Sequence, residues 1–361
     1  MNNIICEKGD RMRIDRIKIA LVGCGSHASS ILHTALGFLE DVEIVAVCDL
    51  DMERAIFAQK RFGLNQHYTD VDQMLSETSA EAALVVSPPH IQASLIKKCL
   101  LNNLNVYVEK PLAIDLEEAY ELKELAEVNN LILTVGFNKR FSQYYNKVYE
   151  AIKSEKFEKP SMIYMKFAGG YRPKTWDLLT VGSIHMFDIA KHFIGEIDEI
   201  YANMHKIEEG KANISVSLKF KSGAVGVFVL GSTGFWSVKG GEYIEIIGDR
   251  NCISLDNATK FYWQKPTPID KDGGSSHQAL KEIPSSAEVM EPNYMNVSNI
   301  EMHSFVMNGY YGALKNFVQN IRDQKQTSPC ADDAIYALKT ALAIQKSIEI
   351  GQSVKISEMH R

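Results

Sequence analysis

The tripeptide Glu109-Lys110-Pro111 puts a lysine where it could move a proton. It closes an apolar run over residues 105 to 108 that reads as an internal strand. The carboxyl end of such a strand opens into the crevice where open α/β sheets take their ligands. Partial burial there lowers an amine's pKa and brings proton transfer within reach near neutral pH. These residues alone leave a second reading open, in which Lys110 merely pairs with Glu109 at the rim.

A second group points to a phosphate-bearing ligand. The run Ile17-Lys18-Ile19-Ala20-Leu21-Val22 stops at Gly23-Cys24-Gly25-Ser26-His27-Ala28, and the helical spacing of Ile31, Leu32, Ala35, Leu36 and Leu39 follows. Gly23, Gly25 and Ala28 fit the dinucleotide fingerprint: a glycine for the tight turn, a glycine that lets a pyrophosphate approach, and a small residue for close helix–strand packing. Amides at the helix start would face the phosphates. The next strand, Val42 to Cys48, ends at Asp49, about twenty residues beyond the glycines, where a carboxylate can bond the ribose hydroxyls of NAD. Capping the following helix is a compatible second role for Asp49. With Asp51 nearby and no arginine immediately after Asp49, repulsion of a 2′-phosphate favours NAD over NADP.

The elements that must position these residues alternate along the first part of the chain. A helix is expected over Met52 to Phe62 and a short strand and capped helix around Tyr68 to Leu75. Ala82 to Val86 is continuously apolar, as a strand covered on both faces should be, and Ser87-Pro88-Pro89-His90 turns the chain at its carboxyl edge. Helices from Ile91 and from Leu116 flank the strand before Glu109, and a further strand covers Leu131 to Val135. This is a doubly wound α/β domain over residues 16–138, preceded by an extension, 1–15, and followed by a second domain, 139–361.

Composition sets the outer bounds. The 361 residues suit two domains; 45% are apolar, 23% charged, and the net charge is −6, so nothing favours nucleic acid as a partner. No apolar run approaches a membrane span, and residues 1–15 lack the apolar core of a secretory signal. Six scattered cysteines without a C-x-x-C pair argue for a reducing, cytoplasmic setting and against disulfides or structural zinc, and no metal site is expected.

The chain resembles the glucose-fructose oxidoreductase and inositol dehydrogenase (Gfo/Idh/MocA) family. The resemblance rests on Gly23-Cys24-Gly25, Cys48-Asp49 with Glu53-Arg54-Ala55, Ser87-Pro88-Pro89, Glu109-Lys110-Pro111-Leu112-Ala113, Gly136-Phe137-Asn138-Lys139-Arg140-Phe141 and Ile184-His185-Met186-Phe187-Asp188, in order. It implies an NAD(P)-binding Rossmann domain followed by an α+β domain built on a large, mostly antiparallel sheet. Strands expected over Met162–Phe167, Ala212–Phe220, Ala224–Leu230, Tyr243–Ile247 and Cys252–Leu255 agree with that. So do a helix over Ile184–Phe193, two closing helices around Gly309–Asp323 and Asp332–Ile350, and a surface excursion over Lys265–Val297.

The resemblance also implies roles. Lys110 would contact the substrate hydroxyl, its peptide to Pro111 often being cis, with His185 assisting and Asp188 on the same helical face. Gly23, Cys24, Gly25, Ser26, His27, Ala28, Asp49, Ser87, Pro88, Pro89, Glu109, Lys110 and Asn138 are the expected cofactor contacts. Asn138, Arg140, Tyr171, Arg172, Trp176 and Asp188 are candidates for holding substrate, the aromatic ones by stacking on a sugar face. Arg172 and Arg140 would also suit an anionic substituent; Lys139 and Lys174 read as solvated charges. Many dehydrogenases of the family carry an aspartate four residues before the histidine. Here that position is Val181, which can neither bond His185 nor relay a proton.

The implied activity is hydride exchange between NAD and a secondary alcohol or ketone of a sugar, cyclitol or sugar derivative. Two alternatives follow from the same family: a non-catalytic NAD-binding regulator, and elimination or glycoside hydrolysis through transient oxidation. The run from Ala224 to Leu230 is apolar on both alternating faces, which predicts a homodimer or homotetramer formed through the second domain.

Overall fold

Two sheets organise the chain in a computed structural model that describes residues 15–235, 238–249, 251–265, 287–291 and 304–360. In the first, β1 (Ile17–Val22), β2 (Val42–Cys48), β3 (Ala82–Val85), β4 (Asn105–Val108) and β5 (Leu133–Val135) pair in parallel in the order β2-β1-β3-β4-β5. β3 and β4 are buried almost throughout, which explains their unbroken apolar runs. The strand order reverses between β1 and β3, and that switch point is where a doubly wound sheet opens its crevice.

Local chemistry sets the helix ends. Asp51 accepts hydrogen bonds from the backbone N–H groups of Glu53 and Arg54 and caps helix Met52–Phe62, which ends at Gly63 in the left-handed region. The capping role considered for Asp49 therefore falls to its neighbour Asp51. Asp115 caps helix Leu116–Val128 in the same way, and helix Pro89–Leu101 begins on a proline, whose missing N–H costs nothing there.

The second sheet has nine strands in the order β13-β12-β11-β10-β6-β9-β8-β7-β14. These are β6 (Met162–Ala168), β7 (Ile197–Glu208), β8 (Lys211–Phe220), β9 (Val225–Gly231), β10 (Glu242–Ile247), β11 (Cys252–Asp256), β12 (Lys260–Gln264), β13 (Glu288–Met290) and β14 (Val354–Lys355). Every pairing is antiparallel except β6 with β9. Burial alternates strictly along β8, so one face meets the core and the other is exposed. The inner face packs with helices Ile184–Ile194 and Ala331–Ile350 in one apolar core. The expected α/β plus α+β fold is thus the one observed.

Helix Tyr310–Asp323 crosses back to the first sheet, where Leu314, Phe317 and Val318 pack with Ile19, Leu21 and Leu84. The layer covering the first sheet is therefore not continuous in sequence. Of the excursion expected over Lys265–Val297, β13 pairs with β12 through Phe261 and Met290; most of the rest lies outside the described residues, as does 1–14. Among the described residues no helix is long and apolar enough to cross a membrane.

Candidate active site

The dinucleotide crevice is built by the turn after β1. Gly23 has a φ of +95°, and a Cβ there would lie 1.9 Å from the Val86 carbonyl oxygen, so only glycine holds this turn. A Cβ on Gly25 would meet nothing nearer than Arg54 Nη1 at 3.9 Å, so open space faces the loop. A cavity of about 300 Å³ lies there, lined by Gly23, Gly25, Asp49, Arg54, Ser87 and Pro88 among others. Asp49 braces the loop: Oδ2 accepts from Cys24 N at 2.7 Å and Oδ1 from Asp51 N at 2.9 Å. Ser87 Oγ is buried without a partner. An open cradle under glycine, a fixed carboxylate and an orphaned hydroxyl fit an adenine dinucleotide.

Lys110 stands at the end of β4. Its Nζ donates to the Val181 carbonyl at 2.9 Å, and no ion pair with Glu109 forms, so the rim pairing left open above is not the one observed. Burial lowers the Lys110 pKa; Glu109 opposes that shift, while Arg172 and Lys139 add to it. Gln92, buried in helix Pro89–Leu101, donates from Nε2 to the carbonyls of Glu109, at 2.6 Å, and of Pro111. The Lys110-Pro111 peptide is cis.

Glu109 approaches His27 rather than pairing with Lys110. Its Oε1 is buried without a partner, its Oε2 lies 3.9 Å from His27 Nε2, and a Cβ on Gly136 would sit 2.6 Å from Oε1. His27, half exposed on the phosphate loop, also meets the edge of Tyr310 at 5.6 Å.

His185 enters from the second domain in helix Ile184–Ile194, just after a π-helical turn, Leu178–Gly182, that contains Val181. The ring is buried, stands edge-on to Phe137 at 6.1 Å, and keeps Nδ1 sealed without a partner. Burial first, then the charges of Lys110, Lys139 and His27, push its pKa well below the ordinary histidine value. The imidazole is therefore neutral at pH 7, able to donate through one nitrogen and accept through the other.

Arg140 and Asp188, both candidate substrate contacts, face each other. Arg140 Nε donates to Asp188 Oδ2 at 2.9 Å and Nη2 donates to Oδ1, while Asp333 Oδ1 lies 3.0 Å from Nη2. Ser328 Oγ accepts from Nη1 at 2.9 Å, so each of the three guanidinium nitrogens has a protein partner. Lys139, expected to be solvated, is instead buried against Glu242 and Tyr145, with a side chain 14% exposed. Asn138 donates from Nδ2 to the Asn308 carbonyl at 2.7 Å and leaves Oδ1 buried and free. Trp176 is partly buried against the core, and Tyr171 is exposed.

Four contributors escaped the sequence reading as site residues. Arg54 lines the cavity beside Asp49, held at 3.3 Å by Asp51; its place in the first turn after β2 was the available signal. Gln92, a polar residue on a buried helical face, was a second signal. Glu242 and Asp333 lie about a hundred residues or more from their partners, and nothing local marks them.

A doubly wound sheet open at its switch point, joined to a second domain that brings a histidine toward the lysine at the crevice, is the build of a dinucleotide-dependent oxidoreductase. The chain belongs to the Gfo/Idh/MocA oxidoreductase family: residues 17–137 match its NAD-binding Rossmann domain and residues 149–356 its C-terminal α/β domain. It is an NAD(P)-dependent dehydrogenase or reductase acting on CH–OH groups. A myo-inositol 2-dehydrogenase of Thermotoga maritima is 25% identical over 360 residues, covering 95% of this chain and 99% of the relative. A Bacillus subtilis scyllo-inositol 2-dehydrogenase (NAD(+)) is 27% identical over 50% of this chain and 54% of its own length. Among solved structures, a dehydrogenase from Chromobacterium violaceum superposes with a TM-score of 0.81 at 21% identity, covering 94% of this chain and 97% of the other. A scyllo-inositol dehydrogenase from Lactobacillus casei, with NAD(H) and scyllo-inositol bound, gives 0.73 at 18% identity over 95% and 99%. At such identities the two structures establish the fold alone.

Proposed function

We propose that this chain interconverts a secondary alcohol and a ketone on a cyclitol, sugar or sugar derivative, using NAD. The observation that carries the reading is the Lys110 amine, buried at the end of β4, held by the Val181 carbonyl and lowered in pKa. When bound, the nicotinamide accepts or supplies the hydride. Lys110 takes the hydroxyl proton as the alcohol is oxidised and returns it in reduction. His185, neutral, orients the same hydroxyl by a hydrogen bond. The names of the two inositol dehydrogenase relatives support a polyol substrate.

Gly23, Gly25 and the amides of Ser26, His27 and Ala28 would hold the pyrophosphate, Asp49 the adenosine ribose, and Ser87, Pro88, Pro89, Glu109 and Asn138 the approach to the nicotinamide. Asp49 and Asp51 disfavour a 2′-phosphate, and Arg54, which lines the cavity, is already held by Asp51, which supports NAD over NADP. Cys24, Cys48, Cys99, Cys252 and Cys330 are free thiols, which supports a reducing cytoplasm. The test is a screen of cyclitols, sugars and their derivatives with NAD, following absorbance of the reduced nicotinamide. Tight NAD binding with no turnover across that panel would refute the reading.

A further inference from the structure

We propose that Arg172 recognises an anionic substituent, phosphate or carboxylate, on the substrate handled at Lys110; this rests on the dehydrogenase reading above. The site is rich in cations, and the protein compensates most of them. Lys139 is paired with Glu242, Arg140 with Asp188 and Asp333, and Lys191 with Asp333. Arg172 differs: among the described residues its guanidinium has neither an ion pair nor a hydrogen-bond acceptor, and its Nε is buried. Asp177 acts on it only at a distance, since its carboxylate accepts from Lys174 N at 3.2 Å and forms no ion pair with Arg172. A sealed N–H without an acceptor is rare in folded proteins, because the group loses its water and gains nothing.

Two glycines pack against this residue, one at its main chain and one at its guanidinium. Gly210 has a φ of +77°, and a Cβ there would lie 1.8 Å from the Arg172 carbonyl oxygen, so the turn between β7 and β8 presses directly on Arg172. On the other side, a Cβ on Gly182 would meet Nη2 at 3.4 Å and Nε at 3.5 Å, so the guanidinium rests over a bare glycine. Gly182 follows Val181, whose carbonyl holds Lys110. Lys110, from the first domain, and Arg172, from the second, therefore reach adjacent residues, Val181 and Gly182. Valine at 181 supplies no carboxylate to either. A substrate hydroxyl would leave the guanidinium charge uncompensated, whereas a carboxylate or phosphate offers paired oxygens that match its planar fork.

The test titrates NAD-loaded protein with inorganic phosphate and, separately, with malonate, by calorimetry. One-to-one binding of at least one anion is expected, weakened roughly 10–100-fold in Arg172→Ala and partly retained in Arg172→Lys, the range of a charge-assisted hydrogen bond. Phosphate alone would point to a phosphorylated substrate, malonate alone to a sugar acid, and either supports the proposal. Absence of binding by both anions to the wild-type protein, or binding that Arg172→Ala leaves untouched, overturns it, whatever the variants' stability. A kinetic arm compares neutral and anionic partners, such as an inositol with its monophosphate and a hexose with its uronate. The anionic member should have the higher kcat/KM, with the ratio falling toward one in Arg172→Ala. Oxidation of neutral polyols with no anionic preference would sink the Arg172 assignment while sustaining the dehydrogenase reading. Anion binding without turnover of any polyol would do the reverse.

Discussion

Lys110 Nζ and the Val181 carbonyl meet at 2.9 Å, so the lysine of the first domain is fixed by main chain of the second. A carbonyl orients the amine but stabilises its charged form far less than a carboxylate would. Oxidation needs the unprotonated amine, so kcat/KM should rise with pH through a pKa lying below the ordinary lysine value. Val181→Asp would bring a carboxylate toward Lys110 and one helical turn before His185. It should raise the pKa of both and move the rising limb to higher pH; a profile that stays in place would show that position 181 does not act on the lysine. Lys110→Ala should lower turnover by ~10²–10⁴-fold with cofactor affinity largely kept.

Asp49 bonds the backbone of both the glycine loop and the capping turn, at 2.7 Å to Cys24 N and 2.9 Å to Asp51 N. Asp49→Ala should weaken NAD binding through lost ribose contact and a slackened loop. It should also narrow the gap to NADP, because a negative charge facing the 2′ position is gone. Calorimetry that finds NADP the tighter ligand of the wild-type protein would overturn the proposed preference.

The Arg140–Asp188–Asp333 group is buried, with Asp188 1% exposed and Asp333 6%. Removing one partner of a buried ion pair strands charge in a poor solvent and typically costs about 3–5 kcal/mol. Asp333 still compensates Arg140 after Asp188→Ala, so the loss should fall near ~3 kcal/mol, the low end, with Asp188→Asn losing less. A lower urea midpoint would show it. An unchanged midpoint with a raised substrate KM would return Asp188 to the substrate-holding role expected from the sequence.

Legibility followed burial. β3 and β4, covered on both faces, show as unbroken apolar runs, and β8 shows as strict alternation. β7 escaped: its outer half, from Tyr201 to Glu208, alternates weakly and then runs exposed, so period-two contrast vanishes. The parallel neighbours β6 and β9 pair at a constant separation of 63 residues, from Met162 with Val225 to Ala168 with Gly231, and no local pattern encodes that distance. Lys110 and His185 were legible because their residue types do chemistry. The Val181 carbonyl was not, because every residue has one, and the isolation of Arg172 becomes visible only once distant Glu242, Asp188 and Asp333 are seen to be spent on Lys139 and Arg140.

The outer face of the second sheet carries the last prediction. Along β9 the inward residues Gly226, Phe228 and Leu230 are buried, while outward Val225 and Val227 are 50% and 38% exposed. Met162, across β6, adds another apolar side chain at 39% exposure. On β8, Ser215, Ser217 and Lys219 pair with Val229, Val227 and Val225, so an apolar stripe is flanked by small polar groups and one charge. A stripe of that kind on a sheet, left in water, is a site for association. We therefore expect a homodimer or homotetramer formed across this face, with a mass in light scattering two or four times the 40.5 kDa of the chain. Val227→Lys should shift that mass toward the single chain, because it places a charge at the centre of the buried stripe. A wild-type mass that stays near 40.5 kDa on further concentration would refute the assembly.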